Sequence, residues 1–349
     1  MDRIVRGAWI AVAAAIAAPV AAADFCVGTS AQLQQALTTA SANGQDDLIR
    51  VRTGSYEAPA GGFVMHEAAG ENGRRLAVSG GWRRTEWGDC SERSDDPRLT
   101  VFDGNGLARV ADFALGGDSS LRVELLTILK GYDDADKSCG GGLRVVSAGK
   151  QPTGTVVVER NWFLVNEATM GGGLCVVGAQ RIDVVGNVVV ANNAFEMGGG
   201  IHVASAMYDG ATGHTRISNN TVIYNTAGWH RGGIAVWGGS TVLVANNLAW
   251  DNTAPDIAVA GTLKYVDLLN NDYQTLIGFP DHSAGNIAVA PVFDSGWFNY
   301  TPAAGTALVD AGTNKVYGDL YLTKFDAHGL PRVVGKQVDI GALEAQPQR

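Results

Sequence analysis

The sequence predicts an all-β fold, a parallel β-helix solenoid, and three observations carry that prediction. Between Val156 and Trp250 one pattern recurs as VVVERNWFLVNEATMGGGLCVV, IDVVGNVVVANNAFEMGGGIHVA and TRISNNTVIYNTAGWHRGGIAVWG, with a fourth copy, TVLVANNLAWDNTAPDIAV, that drops the glycines. Each copy holds two asparagines five residues apart: Asn161 and Asn166, Asn187 and Asn192, Asn220 and Asn225, Asn247 and Asn252. The first asparagines of successive copies are 26, 33 and 27 residues apart, a period that leucine-rich, ankyrin and helical repeats also use. Composition decides between them. The apolar runs are short, β-branched and broken by Asn or Gly, helical repeats need continuous helix formers, and no leucine-rich consensus appears. Each unit is therefore one coil, stacked about 4.8 Å above the last.

At a sharp turn between short strands, asparagine tolerates left-handed backbone angles, and its amide can bond the same amide one coil above. Such a ladder satisfies polar groups that would otherwise be buried unpaired. Gly171 to Gly173, Gly198 to Gly200, and Gly232 with Gly233 read as stacked bends where a Cβ would clash.

Residues 1–23 read as an export signal: Arg3 and Arg6 open it, AWIAVAAAIAAPV is too short to span a membrane, and Ala21-Ala22-Ala23 offers a small-residue cleavage site. Cleavage removes Arg3, Arg6 and Asp2, which takes the formal net charge from −9 to −10. No other apolar run reaches the ~18 residues of a membrane span, so a secreted or periplasmic protein without a transmembrane segment is expected. The acidic balance, with no Lys/Arg cluster, argues against nucleic acid and anionic membranes as partners.

Residues 24–62 hold a cap helix, TSAQLQQALTTASANG, and a first strand. Ser30 can cap that helix, Leu33, Ala36, Leu37 and Ala40 share one face, and Asn43-Gly44 ends it. A helix laid over the first coil covers an open apolar end. Residues 63–300 form the coils, and in the one over 121–155 Thr127 and Tyr132 take the places of the asparagine pair. DDADKSCGGG, SAGKQPTGT and the stretch from Ser205 to His214 are loops at bends, which in solenoids build grooves. Residues 301–349 close the chain.

Four cysteines in an exported chain allow three disulfide pairings. Cys26 with Cys90 and Cys139 with Cys175 are favoured by position. Superposing the glycines sets Cys139 opposite Met170 and Arg144 opposite Cys175, so the second bridge requires a sharp bend. No CxxC spacing suggests zinc.

VDAGTN, DAHGLPR and VDIGALE near the C-terminus, with Cys26-Val27-Gly28-Thr29, DDLIRVRTGSY and SGGWRRTEWGDC near the N-terminus, resemble exported bacterial right-handed β-helix proteins of the choice-of-anchor group in the pectin-lyase-like superfamily. The resemblance covers most of the mature chain and implies a right-handed parallel β-helix with an N-terminal helical cap and a C-terminal closing segment. Glu344 is followed only by AQPQR, so anchoring by a sorting tail is not expected.

Enzymes of that superfamily imply two tests. Pectate lyases hold Ca²⁺ with carboxylates beside a basic Arg or Lys, and Asp133, Asp134 and Asp136, near Lys137 and Arg144, are the candidate Ca²⁺ ligands. The hydrolases use clustered aspartates, and the four copies carry Asn, Gly and Val at such places. With the glycine tracts superposed, Arg144, Cys175, His202 and Ala235 form one column, Thr169, Glu196 and Trp229 a second, and Met170, Met197 and His230 a third. If these columns face outward, Glu196, His202, Trp229, His230 and Arg231 form a sugar-binding mixture of aromatic and charged planar groups. The expected function is binding of a polysaccharide or cell-envelope glycan, or a surface-structural role. The alternatives are a polysaccharide lyase or glycoside hydrolase, and an architectural adhesin without a small ligand.

Overall fold

The computed structural model describes residues 22–347 except 136–137, 150–151, 207–212, 230, 297–298 and 315–322, and excludes the side chains of 239–240 and 262–264. All but the last two residues of the expected export signal therefore lie outside the described residues, as do Asp136, His230 and most of the 205–214 loop.

The chain is a parallel β-helix whose central coils turn through four short strands. In one such coil these are Thr155–Glu159, Trp162–Leu164, Glu167–Met170 and Leu174–Val177, and Arg181–Val185 starts the next. Equivalent strands pair in parallel one coil on, with Val157 opposite Asp183, Phe163 opposite Val189, Ala168 opposite Ala194 and Val176 opposite Val203. Four columns result, numbered here in that order. The first and fourth merge at Ile234–Ala245 and Ile257–Leu269, which run through both. Alternate residues point inward, so Val156, Val158, Phe163, Leu174 and Val176 build the central core, as period-two burial requires.

The corners on either side of the second column carry the ladders. The Asn187 Oδ1 accepts from the Asn161 backbone N–H at 2.9 Å and from its Nδ2 at 3.2 Å. The same two bonds recur from Asn187 to Asn220, Asn220 to Asn247, Asn247 to Asn271 and Asn271 to Asn286. A second ladder runs from Asn166 through Asn192 and Asn225 to Asn252, where the Asp256 carboxylate takes the final place. Each internal amide also donates to a strand carbonyl, as Asn187 does to Val158.

The left-handed angle belongs to the residue before each ladder asparagine and not to the asparagine itself. Arg160, Val165, Ala191, Asn219, Tyr224, Asn246 and Asp251 all have φ between 51° and 58°. The corner thus needs two residues, one to reverse the chain and one to bond upward. The first described rungs also differ by one position from the expected Thr127 and Tyr132. Thr127 pairs with Trp162 and Tyr132 with Glu167, and the backbone N–H groups of Leu126 and Gly131 donate to Asn161 and Asn166. Neither Leu126 nor Gly131 has an amide, so the ladders end there.

The helix Ser30–Ala40 buries Leu33, Ala36 and Leu37 over the first coil, and its N-cap is Thr29, whose hydroxyl accepts from the Gln32 N–H. Ser30 is instead the first helical residue. The Gln34 amide bonds both N–H and C=O of Val64 at 3.0 and 2.9 Å, standing in for a missing strand. Both expected disulfides are present, Cys26–Cys90 and Cys139–Cys175. The registers of Cys139 with Met170 and Arg144 with Cys175 hold as well. Gly140 and Gly171, at φ 77° and 57°, supply the bend that brings the Cα atoms of Cys139 and Cys175 to 5.7 Å. Among the described residues, no helix is long and apolar enough to cross a membrane.

The C-terminal segment begins after the last described strand, His282–Ala284. It packs along the outside of the second column, where Leu308, Ala327, Ile340, Ala342 and Leu343 cover Trp162, Val188, Val190, Ile223 and Leu248. Asn246 fixes it by donating to the Thr313 carbonyl and accepting from the Thr313 N–H, at 3.0 and 2.8 Å. His328 stacks on Trp162 in this seam.

Candidate functional site

The glycine tracts form the corner between the third and fourth columns. A Cβ on Gly172 would overlap the Asn193 carbonyl, and one on Gly199 the Thr226 carbonyl, so the chain passes there too closely for any side chain. The alignment of Arg144, Cys175, His202 and Ala235 is the observed strand register. The column faces away from the central core, yet Cys175, His202 and Ala235 are all buried, because the glycine tract folds back over them, with Gly171 and Gly198 against their side chains. Burial, helped by the charge of Arg231, lowers the His202 pKa to about 4. The ring is neutral and its Nδ1 has no hydrogen-bond partner.

Outside this corner the expected residues part company. Met170 pairs with Met197 as expected, but a bulge between Ala168 and Met170 puts one more residue on the upper strand. That bulge sets Glu196 beneath Trp229, whose N–H donates to the Glu196 carbonyl at 3.0 Å. Trp229 is 67% exposed. Arg231, held at φ 71°, lies over the Trp237 ring at 4.9 Å, with its Nη1 3.6 Å from the Met197 Sδ. Phe195 and Trp237 are exposed as well. The structure therefore gathers Glu196, Trp229 and Arg231, adds Phe195, Met197 and Trp237, and buries His202 beneath them; His230 lies outside the described residues.

Two members of the acidic run lie among the described residues. The Asp133 carboxylate is paired with Arg109, and Asp134 accepts from the Tyr132 hydroxyl at 3.1 Å. Asp136 lies outside the described residues, and no group of three metal-ligating side chains forms among the described ones. Arg144 is held by Asp112 at 2.7 Å, which occupies the expected cation.

Sequence reasoning missed a charged stack on the first column. Glu124 and Glu159 are register partners, walled by Arg93 at 2.7 Å from Glu124 and by Arg122 on Glu159. Burial, against the pull of Arg122, holds Glu159 above the usual carboxylate range. The signal was present in the sequence, because VELL and VERN both set a glutamate just before a corner. Both side chains are buried, so the stack serves the wall of the solenoid and does not face solvent.

No family model matches the chain, and comparison with curated proteins and with solved structures gives no match. The fold and the geometry above therefore carry the functional argument alone.

Proposed function

We propose that this is an exported β-helix protein that binds glycan or cell-envelope material at the corner formed by Glu196, Trp229, Arg231 and Trp237. The observation that carries the reading is the Arg231–Trp237 stack, on the same coil as the exposed Trp229 ring. An exposed indole offers a flat apolar surface to the carbon face of a pyranose, and a planar guanidinium held by an aromatic ring is preorganised to bond hydroxyl or acidic groups. Glu196, half-buried on the neighbouring coil, supplies an acceptor. A rigid sheet beneath keeps these groups in place before a ligand arrives, which reduces the ordering cost of binding. The two disulfides fit residence in an oxidising compartment.

Calorimetry against neutral and acidic polysaccharides tests the proposal. Binding that weakens at least tenfold in both Trp229→Ala and Arg231→Ala, with unchanged thermal stability, supports it. No heat across a broad panel, or binding by the two variants equal to that of the unmodified chain, contradicts it.

A further inference from the structure

We propose that residues 323–347 form a detachable strap that lifts from the second column as pH rises, baring the apolar strip of Trp162, Val188, Val190, Ile223 and Leu248. The strap reaches the coils through few polar bonds: Ala342 N–H to the Thr221 hydroxyl, Gly341 N–H to the Asn246 carbonyl, and Trp162 Nε1–H to the Ala327 carbonyl, at 2.9, 2.9 and 3.2 Å. Its own fold is organised around one guanidinium. Arg332 is 1% exposed and donates through Nη2 to the carbonyls of Asp339 and Gly341, both at 2.9 Å, while its Nε has no hydrogen-bond partner and its Nη1 lies 4.0 Å from the Glu344 carboxylate.

Three carboxylates surround that guanidinium, from Asp326, Asp339 and Glu344, each 1% exposed. Asp326 accepts from the N–H groups of His328, Leu330 and Glu344. Asp339 accepts from Asp310 and Ala345, and Glu344 from Val334 and Asp339. Fully ionised, the cluster would hold three negative charges against one positive charge, all out of water, and such an excess is costly. The charged groups that border the cluster do not repair the imbalance. Asp310 lies beside Asp339, Arg98 and Asp96 lie beside Asp326 and His328, and Asp95 lies against Gly329, already bonded to Arg160 at 2.9 Å. Lys324 and Lys336 are exposed.

The closed strap therefore keeps a proton that the lifted strap releases. Burial, opposed by Arg332 and reinforced by the charge of Asp339, raises Glu344 to about 7, and burial raises Asp326 and Asp339 as well. A carboxyl whose folded pKa is raised gives its full stability below its ordinary pKa and loses it as pH climbs to the folded value. Linkage of one carboxyl proton increases the opening constant about tenfold per pH unit across that interval and leaves it level above about pH 7. His328, whose pKa burial holds at about 4 in the closed strap, takes up a proton on lifting below about pH 6.5 and opposes that slope, so the carboxyl contribution is isolated in His328→Asn.

Hydrogen exchange on the full-length His328→Asn chain tests this, read on a peptide spanning 326–344 and corrected for intrinsic rates, with binding of an apolar fluorescent dye reporting the bared strip. The expected result is a rise of about 100-fold in the opening constant between about pH 5 and pH 7, with dye binding rising over the same interval. Adding Glu344→Gln, neutral at every pH, should abolish that slope, and adding Lys336→Gln should keep it. Protection that does not change with pH in His328→Asn, a slope that persists with Glu344→Gln, or a slope with no rise in dye binding would overturn the proposal. If the double variant with Glu344→Gln does not fold, the pH profile of His328→Asn decides alone.

Discussion

The ladder corners and the glycine corner solve the same problem, reversing a short strand with no room to spare, and they solve it with opposite chemistry. At the ladders, buried amides do the bonding, and Asn161, Asn187, Asn220 and Asn247 are all 0% exposed. At the glycine corner the backbones themselves approach, through bonds such as Gly172 N–H to Gly198 O and Gly173 N–H to Gly199 O. A ladder fixes the identity of its side chain on every coil. A glycine corner fixes only its own residues, and the flanking positions are free to carry Glu196, Trp229, Arg231 and Trp237. Structure is thereby concentrated at one side of the solenoid and variable chemistry at another.

The largest effect expected from breaking this contrast lies in the middle of a ladder. Asn187→Ala removes an acceptor shared by two groups of Asn161 and a donor to Val158 and Asn220. Stranding those buried groups should cost about 3–5 kcal/mol in urea denaturation, whereas Asn286→Ala, at the partly exposed end, should cost about 1 kcal/mol. Equal losses at the two sites would mean that the ladder is not cooperative.

Next comes the acid response of the glycine corner. His202 has a folded pKa depressed to about 4 against about 6.5 unfolded. Its neutral form therefore stabilises fully above pH 6.5, and that contribution, about 3 kcal/mol, is lost as pH falls from 6.5 through 4. Chemical denaturation at pH 7 and at pH 4.5 measures it, and His202→Asn should reduce the difference. A chain equally stable at both values would refute the burial argument.

Gly199→Ala should cost about 1–3 kcal/mol by overpacking against the Thr226 carbonyl, measured as a shift in the thermal midpoint. The smallest change has the opposite sign. Val165 is β-branched, 60% exposed and held at φ 56°, and relieving it with Val165→Gly should stabilise by about 1 kcal/mol. A destabilised Val165→Gly would show that the side chain contributes more than its backbone angle costs.

Much of the fold was legible because its determinants repeat. The asparagine spacing located the coils, and the glycines gave the correct register for Arg144, Cys175, His202 and Ala235 and pointed to the bend that closes Cys139–Cys175. Reading weakened where repetition stopped. Without asparagines, the coil at 121–155 was placed one residue out. Glycine alignment gives the register but not how closely the tract folds over an outward-facing side chain, so His202 is expected at the surface and lies beneath the corner. Phe195 and Trp237 escaped notice because one sits in a bulge and the other lies beyond the aligned tract. The motifs at the C-terminus marked a closing segment, but the surface it covers depends on an apolar strip, Val188, Val190, Ile223 and Leu248, spread over several coils.

The claim on which the rest depends is that ladder and corner repeat as one independent coil. Deleting residues 187–219 joins Arg160–Gly186 to Asn220 and removes one ladder interval of 33 residues, with both disulfides retained. The account predicts that this shortened chain still unfolds in one cooperative transition with a β-rich circular dichroism spectrum, while deletion of 187–202, about half a coil, abolishes folding. An unfolded full-coil deletion, or a half-coil deletion that folds as well, would contradict it.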